Sequence, residues 1–317
     1  MTQMLQNSIV TVGICPCWDR TYYIDGIDWG QHENIQSQNC VPAGKALNIS
    51  KALSGLGVSS RAAGLWGQSD CPQVLHYLSM NYPHIEPHFS VVLGQTRTNV
   101  TIVDTRNRRE IHLRDQCQLV TKNSLEQLGN DLATMTSASI AVFSGSMPET
   151  FMPEIVSIMA MFRNSGTRLI VDTSGPALEA IVKQGTAYLI KPNFQELCQL
   201  VGRNIDNQVD SIIHEARSLC DLVPVILVSR GADGALLVTQ KEAMECKIKD
   251  NFQQKTINTV GCGDYLLAGY LSQVDSDDPA KALLTGVKVA AARAWGLSEM
   301  MDWNQTIESF EIDIRKC

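Results

Sequence analysis

Positive charge is scarce in this sequence: 26 Lys and Arg stand against 33 Asp and Glu, for a net charge of −7. Neutralising nucleic-acid phosphates calls for a basic face, so nucleic acid is excluded as the main partner. A small anion held by a few well-placed cations remains compatible with that balance. No apolar run approaches the ~20 residues of a membrane span, and no membrane partner is expected. No Lys or Arg precedes Asp19, so the basic region of a signal peptide is missing and a cytoplasmic location is expected. The ten cysteines, from Cys15 to Cys317, include no CxxC pair, which suits free thiols in a reducing compartment. Cys15 and Cys17, either side of Pro16, read as small packing residues near a turn. Two nucleotide signatures are also missing. GxxxxGK[ST] occurs nowhere, since Gly44 and Lys45 are followed by Ala46, and no GxGxxG closes the first strand.

What is present is the composition of a soluble globular protein, 44% hydrophobic and 19% charged over 317 residues, long enough for one large α/β domain or two. From residue 139 onward, the short apolar runs "SIAVFSG", "RLIVDTS", "AYLI" and "PVILVS" alternate with stretches of helical spacing. Continuous apolar strands between helices point to a parallel sheet covered on both faces. The N-terminal half starts likewise, with a strand over 8–14, a helix near 44–56 and a strand near 59–66. "TRTNVTIVD" and "REIHLRD" break the rhythm: they alternate apolar with polar around the turn "TRNR", as an antiparallel hairpin with one wet face does. With the helix-poor stretch from about 20 to 40, the hairpin is expected to form a small sheet, either a lid or a decorated edge.

"NTVGCGDYLLAGYL", residues 258–271, carries the chemistry. Gly261 and Gly263 permit backbone conformations closed to other residues, and the helix that follows turns its free N–H groups toward the turn. Those donors and the helix dipole make an anion site, in which Asp264 would compete with the anion unless it has a proton to remove. An acid that deprotonates an attacking hydroxyl, beside amides that hold the transferring phosphoryl group, accounts for the placement. A lone GxGD reads better as an ordinary helix start. Its company decides between the two.

In chain order that company is "GICPCWD", "PAGKALNISKALSGLG", "TRTNV", "SGSMP", "VDTSGPAL", "IKPNFQEL", "SRGADGAL" and "NTVGCGD". Together these blocks resemble the PfkB, or ribokinase-like, family of carbohydrate kinases over nearly the whole chain. "AGK", "SGSMP" and "VDTSG" are most similar to the branch containing the 1-phosphofructokinases and tagatose-6-phosphate kinases. The resemblance implies one ribokinase-like α/β domain over 1–317: a central, mostly parallel sheet flanked by helices, with a small β-sheet lid from about 20–40 and 96–115. It implies ATP and Mg2+ as cofactors and a sugar phosphate as substrate, fructose 1-phosphate first, with tagatose 6-phosphate and fructose 6-phosphate as alternatives. A kinase of an unphosphorylated sugar or nucleoside, and a non-catalytic sugar or nucleotide sensor, stay open as rivals. Related proteins also suggest a homodimer formed through the lid.

Residue by residue, the resemblance makes Asp264 the catalytic base and Gly261, Cys262 and Gly263 the anion hole. Asp19, Gly44, Asn48 and Asn99 would contact the sugar, with Lys45 and Arg97 on its phosphate. Lys191, Ser229, Gly231 and Gly234 would line the nucleotide, and Asn193 and Glu196 would arrange Mg2+ and the nucleotide phosphates through waters. The chain departs from the family pattern at several of these places. Ala46 stands where Gly is common and is expected to bring a methyl close to the sugar; Cys15 and Cys17 change the rim of that pocket. Arg230 replaces an apolar residue, as a nucleotide contact or a solvated charge, and Tyr265 follows the catalytic acid where small residues are usual. Cys262, at a helix N-terminus, is expected to be a reactive thiolate whose alkylation inactivates the protein.

Overall fold

The run Ile9–Gly13 (β1) is β-branched at its first four positions and buried along nearly its whole length, as a strand covered on both faces must be. The computed structural model describes residues 8–250, 254–276, 278–299 and 303–317; residues 1–7 of the domain expected over 1–317 lie outside the described residues. Along the chain come β2 (Cys17–Ile24), β3 (Ile35–Ala43), β4 (Ser60–Gly67), β5 (Ile85–Val92), β6 (Thr98–Asp104) and β7 (Arg109–Leu113). They are followed by β8 (Ile140–Ser144), β9 (Arg168–Asp172), β10 (Leu189–Ile190), β11 (Val225–Ser229), β12 (Ala235–Thr239), β13 (Ala243–Ile248) and β14 (Ile312–Lys316).

Ten strands form one sheet in the order β14-β13-β12-β11-β10-β9-β8-β1-β4-β5. Every neighbouring pair from β5 across to β11 is parallel, and the pairs from β11 to β14 are antiparallel. Helices cover both faces, so alternate residues of one strand enter different cores: Ala141 and Phe143 of β8 join the first, Ile140 and Val142 the second. The second core lies under the helices Lys45–Gly55, Cys262–Leu271 and Pro279–Ala294. The last two approach closely at Gly269, where a Cβ would come 2.8 Å from Gly286 Cα. Among the described residues no helix is long and apolar enough to cross a membrane.

From β1 the chain builds outward through β4 and β5, then returns across β1 to β8. The reversal opens a crevice at the carboxyl ends of β1 and β8, the place where ligands gather in open α/β sheets. A second, separate sheet has four strands in the order β3-β2-β6-β7. The expected hairpin is there, paired antiparallel from Val100↔Leu113 to Asp104↔Arg109, and all five residues of β7 are exposed. β2 runs parallel to β6. Asp70 joins the two sheets: its Oδ2 accepts from the indoles of Trp18 on β2 (2.6 Å) and Trp66 on β4 (3.0 Å), and its Oδ1 from the Thr96 N–H (2.9 Å).

Candidate active site

Gly261 sits at φ 81, a left-handed conformation that suits glycine, and caps the helix Cys262–Leu271. The turn sets Asp264 on the first helical turn with its side chain 4% exposed. Opposite, Gly44 at φ 116 caps the helix Lys45–Gly55, and Asn48 on its first turn donates from Nδ2 to Asp264 Oδ2 at 2.8 Å. Two helix starts from distant parts of the chain thus share one carboxylate. The Cys262 N–H leans on Thr259 O at 3.4 Å, while the Gly263 and Asp264 N–H groups are first-turn donors facing the crevice end of the helix.

The acid at the end of β9 completes the arrangement. Asp172 is fully buried; its Oδ1 lies 3.0 Å from Lys45 Nζ and 3.4 Å from Lys191 Nζ, and its Oδ2 has no hydrogen-bond partner among the described residues. Burial alone would raise its pKa, but the two ammonium groups outweigh burial and hold it below the ordinary carboxylate value. Asp264 goes the other way, pushed up to about 7 by burial and then by the Asp172 charge, against the Asn48 hydrogen bond and the two lysines. Burial works to lower the Lys45 pKa as well, but Asp172 and Asp264 reverse that and raise it. Neighbouring acids driven apart in this way, one firmly ionised and one able to exchange a proton near neutrality, are the electrostatic pattern of acid–base chemistry. Gly263 leaves room for it: a Cβ there would come 2.9 Å from Lys191 Nζ.

Asn193 and Glu196 form a reciprocal capping box, with Glu196 Oε2 accepting from the Asn193 N–H (2.8 Å) and Asn193 Oδ1 from the Glu196 N–H (2.8 Å). The box takes one carboxylate oxygen of Glu196 and leaves the other. No group of three or more His, Cys, Asp or Glu among the described residues could hold a metal ion, so a cation here would need ligands beyond side chains. Ser229 lies beside Asn193 through a β-bridge, and Gly231 (φ 62) and Gly234 (φ 81) form the turn from β11 into β12.

On the small sheet, Asp19 Oδ1 accepts from Asn99 Nδ2 (3.1 Å) and from the Cys17 thiol (3.4 Å). Arg97 already spends its donors on backbone carbonyls: Nε to Pro16 O (3.3 Å), Nη1 to Asp115 O (2.9 Å) and Nη2 to Cys15 O (3.1 Å). The sequence reading singled out every member of the central network except Asp172. Its signal was present, an acid closing a buried apolar strand inside the block "VDTSGPAL".

The chain's own departures resolve differently from expectation. Against the expected thiolate, burial pushes the Cys262 pKa up, outweighing the nearby Arg293, and its Sγ donates to Asn258 O at 3.5 Å. Arg230 is not a solvated charge: its side chain is buried and ion-paired to Glu245 of β13 at 2.9 Å. The buried methyl of Ala46 faces β1, where a Cβ on Gly13 would meet it at 3.3 Å. Tyr265 packs toward the second core, with Trp303 at 6.2 Å between ring centroids and the Arg293 guanidinium 5.4 Å from its own.

Residues 6–294 match the sequence model of the pfkB family carbohydrate kinases. The chain belongs to this family. It is therefore a phosphotransferase acting on a carbohydrate, and kinases of the family use ATP. Among curated relatives, 1-phosphofructokinase of Haemophilus influenzae is 28% identical over 270 residues, covering 83% of each chain. Phosphofructokinase-2 of Escherichia coli in complex with fructose-6-phosphate has the same fold, with a TM-score of 0.85 at 22% identity, covering 96% of this chain and 98% of that one. The tetrameric inhibited form of the same enzyme gives a TM-score of 0.84 at 23% identity, over 95% and 98% of the two chains.

Proposed function

We propose that this pfkB-family kinase transfers the terminal phosphoryl group of ATP to the free primary hydroxyl of fructose 1-phosphate, giving fructose 1,6-bisphosphate. The observation that carries the reading is the Asp264 carboxylate, buried at a helix start and pushed up to about 7 beside a firmly ionised Asp172. At neutral pH that carboxylate exists in both forms, so it can take the proton of the attacking hydroxyl and later return it to solvent. Asn48 fixes its orientation through the 2.8 Å bond to Oδ2. The Gly263 and Asp264 N–H groups face the negative charge of the transferring group, and Lys45 and Lys191, held by Asp172, add positive charge, Lys191 directly beside Gly263.

The acceptor's own phosphate selects this reading over a neutral sugar or nucleoside. Lys45 is about one-third exposed while ion-paired to Asp172, and Arg97, held by the carbonyls of Cys15, Pro16 and Asp115, is the second cation offered to the acceptor's phosphate; an unphosphorylated acceptor makes no use of either charge. Asp19, Asn99 and the backbone at Gly44 are the contacts for the sugar hydroxyls. Lys191, Ser229, Gly231 and Gly234 line the nucleotide. The residues present fit a hydrated Mg2+ held mainly by nucleotide phosphates, through the remaining Glu196 oxygen, Asn193 and the unpartnered Asp172 Oδ2. Bound there, Mg2+ would neutralise phosphate charge.

All of this serves one kinase domain in which the small sheet closes over the crevice as a lid. Tyr23, Trp29, Ile35, Ile111 and Leu113 are exposed on or beside that sheet, an apolar surface suited to pairing with a second copy. ADP release from Mg2+ and ATP, measured across fructose 1-phosphate, fructose 6-phosphate, tagatose 6-phosphate, free sugars and adenosine, tests the reading. Turnover confined to fructose 1-phosphate supports it. Turnover on a different phosphosugar replaces the substrate, and turnover only on neutral acceptors refutes the roles of Lys45 and Arg97.

A further inference from the structure

Asp70 stands immediately before the helix Cys71–Asn81, where an Asp side chain ordinarily accepts a hydrogen bond from the first-turn amides. It makes no such bond. The carboxylate, on a residue only 6% exposed, is used elsewhere: Oδ2 accepts from the indoles of Trp18 (2.6 Å) and Trp66 (3.0 Å), and Oδ1 from the Thr96 N–H (2.9 Å). A helix that forgoes its own cap leaves this acid free to hold other segments together.

Trp18 immediately precedes Asp19, and Thr96 immediately precedes Arg97. The Trp18 N–H also donates to Arg97 O at 2.8 Å, so the two segments run side by side. Both are pinned to the large sheet. The Trp18 ring meets the buried Trp66 of β4 edge-on, with 6.0 Å between centroids. The Gly67 N–H at the end of β4 donates to Thr96 Oγ1 at 3.0 Å, and a Cβ on Gly67 would come 2.6 Å from Thr96 N. One carboxylate therefore fixes where the backbone carrying Asp19 and the backbone carrying Arg97 stand against the strand that feeds the helix Cys71–Asn81.

We propose that Asp70 is a positioning residue for the acceptor: through Trp18 and Thr96 it sets the placement of Asp19 and Arg97. This rests on the reading of Asp19 and Arg97 as contacts for the sugar and its phosphate. Hydrogen bonds weaken steeply as distance and angle depart from the optimum, so loosening the two segments weakens their hold on the acceptor. Those contacts are made to parts of the acceptor that do not react. Their loss is felt equally in the ground state and the transition state, which raises KM for the acceptor and leaves kcat in place.

The test is steady-state kinetics with Mg2+ and ATP on fructose 1-phosphate, or on whichever acceptor of the panel above is turned over. Trp18→Phe keeps an aromatic ring but removes the indole donor. Asp70→Asn keeps one acceptor oxygen and turns an amide N–H2 onto donors. In both, KM for the acceptor should rise roughly 3- to 10-fold, the scale of a lost hydrogen bond, while kcat and KM for ATP stay within about twofold. Trp66→Phe removes the donor on the large sheet; it should lower the melting temperature and leave the acceptor KM unmoved. An equal KM rise in Trp66→Phe would overturn the proposal, because any loosening would then suffice. Asp19→Ala and Arg97→Ala serve as reference variants. If they raise the acceptor KM and neither Trp18→Phe nor Asp70→Asn does, the proposal alone is overturned. If they leave it unchanged, the reading of Asp19 and Arg97 as contacts is refuted and the proposal falls with it. Trp18→Phe decides the matter even if Asp70→Asn fails to fold.

Discussion

Replacing Asp264 by Asn should stabilise this protein while disabling it, and the gain should grow with pH. The Asp264 carboxyl is 4% exposed, and its pKa rises from an ordinary 3.8 to about 7 on folding. Below 3.8 both states hold the proton and the group contributes no difference. As pH rises toward 7 the unfolded carboxyl ionises while the folded one keeps its proton, so folding becomes progressively less favourable; above about 7 the penalty is constant. A shift of roughly three units at about 1.4 kcal/mol each sets an upper bound of about 4 kcal/mol. Coupling to Asp172 makes about 2 kcal/mol or more the expectation at about pH 8. Asn has nearly the shape of Asp, can still accept the Asn48 hydrogen bond, and never ionises. Urea unfolding of both proteins at about pH 5 and about pH 8 measures the effect. A variant advantage that is the same at both values, or negative at the higher one, would refute the electrostatic reasoning. In the same protein kcat should fall by about 10²- to 10⁴-fold, the usual contribution of a positioned base.

The wild-type rate should rise with pH through about 7 as Asp264 loses its proton, and a pH profile of kcat/KM rising with apparent pKa near that value checks it. Asp172→Asn should destabilise the fold by roughly 3–5 kcal/mol, because it strands the 4%-exposed Lys191 without its carboxylate; chemical denaturation reads this directly. Gly263→Ala should leave the melting temperature unchanged or higher, since Ala is the better helix former, yet raise the KM for ATP by displacing Lys191 Nζ. Gly234→Ala should cost on the order of 3 kcal/mol, combining its positive φ of 81° with a Cβ 2.0 Å from Cys246 O, and should appear as a lowered melting temperature. Iodoacetamide should modify Cys262 more slowly than the exposed Cys317 near neutral pH, by mass spectrometry, because burial raises the Cys262 thiol.

Much of the fold was readable because its signals are local. "SIAVFSG" and "PVILVS" are strands in the structure as in the sequence, and the wet hairpin pairs as its alternation indicated. The parallel pairing of β2 with β6 was not readable, since it depends on where two segments some 80 residues apart come to rest. In the site, the two glycine turns and the acid after the second announce themselves by residue type. The Lys45–Asp172 ion pair spans 127 residues and left no pattern to find. The thiolate expected at Cys262 and the solvated charge offered for Arg230 failed for the same reason in different forms. Position at a helix start suggested a thiolate, and burial overrode it; a charge beside a turn suggested solvent, and Glu245 on another strand removed it.

The central claim is that a buried Asp264 serves as the base for phosphoryl transfer to a sugar phosphate. Phosphorus NMR of fructose 1-phosphate incubated with Mg2+ and ATP, in parallel with the wild type and Asp264→Asn, tests it most directly. The account predicts a second ester signal, matching fructose 1,6-bisphosphate and growing in step with ADP, in the wild type and its near absence in the variant. Equal product from both proteins would contradict it.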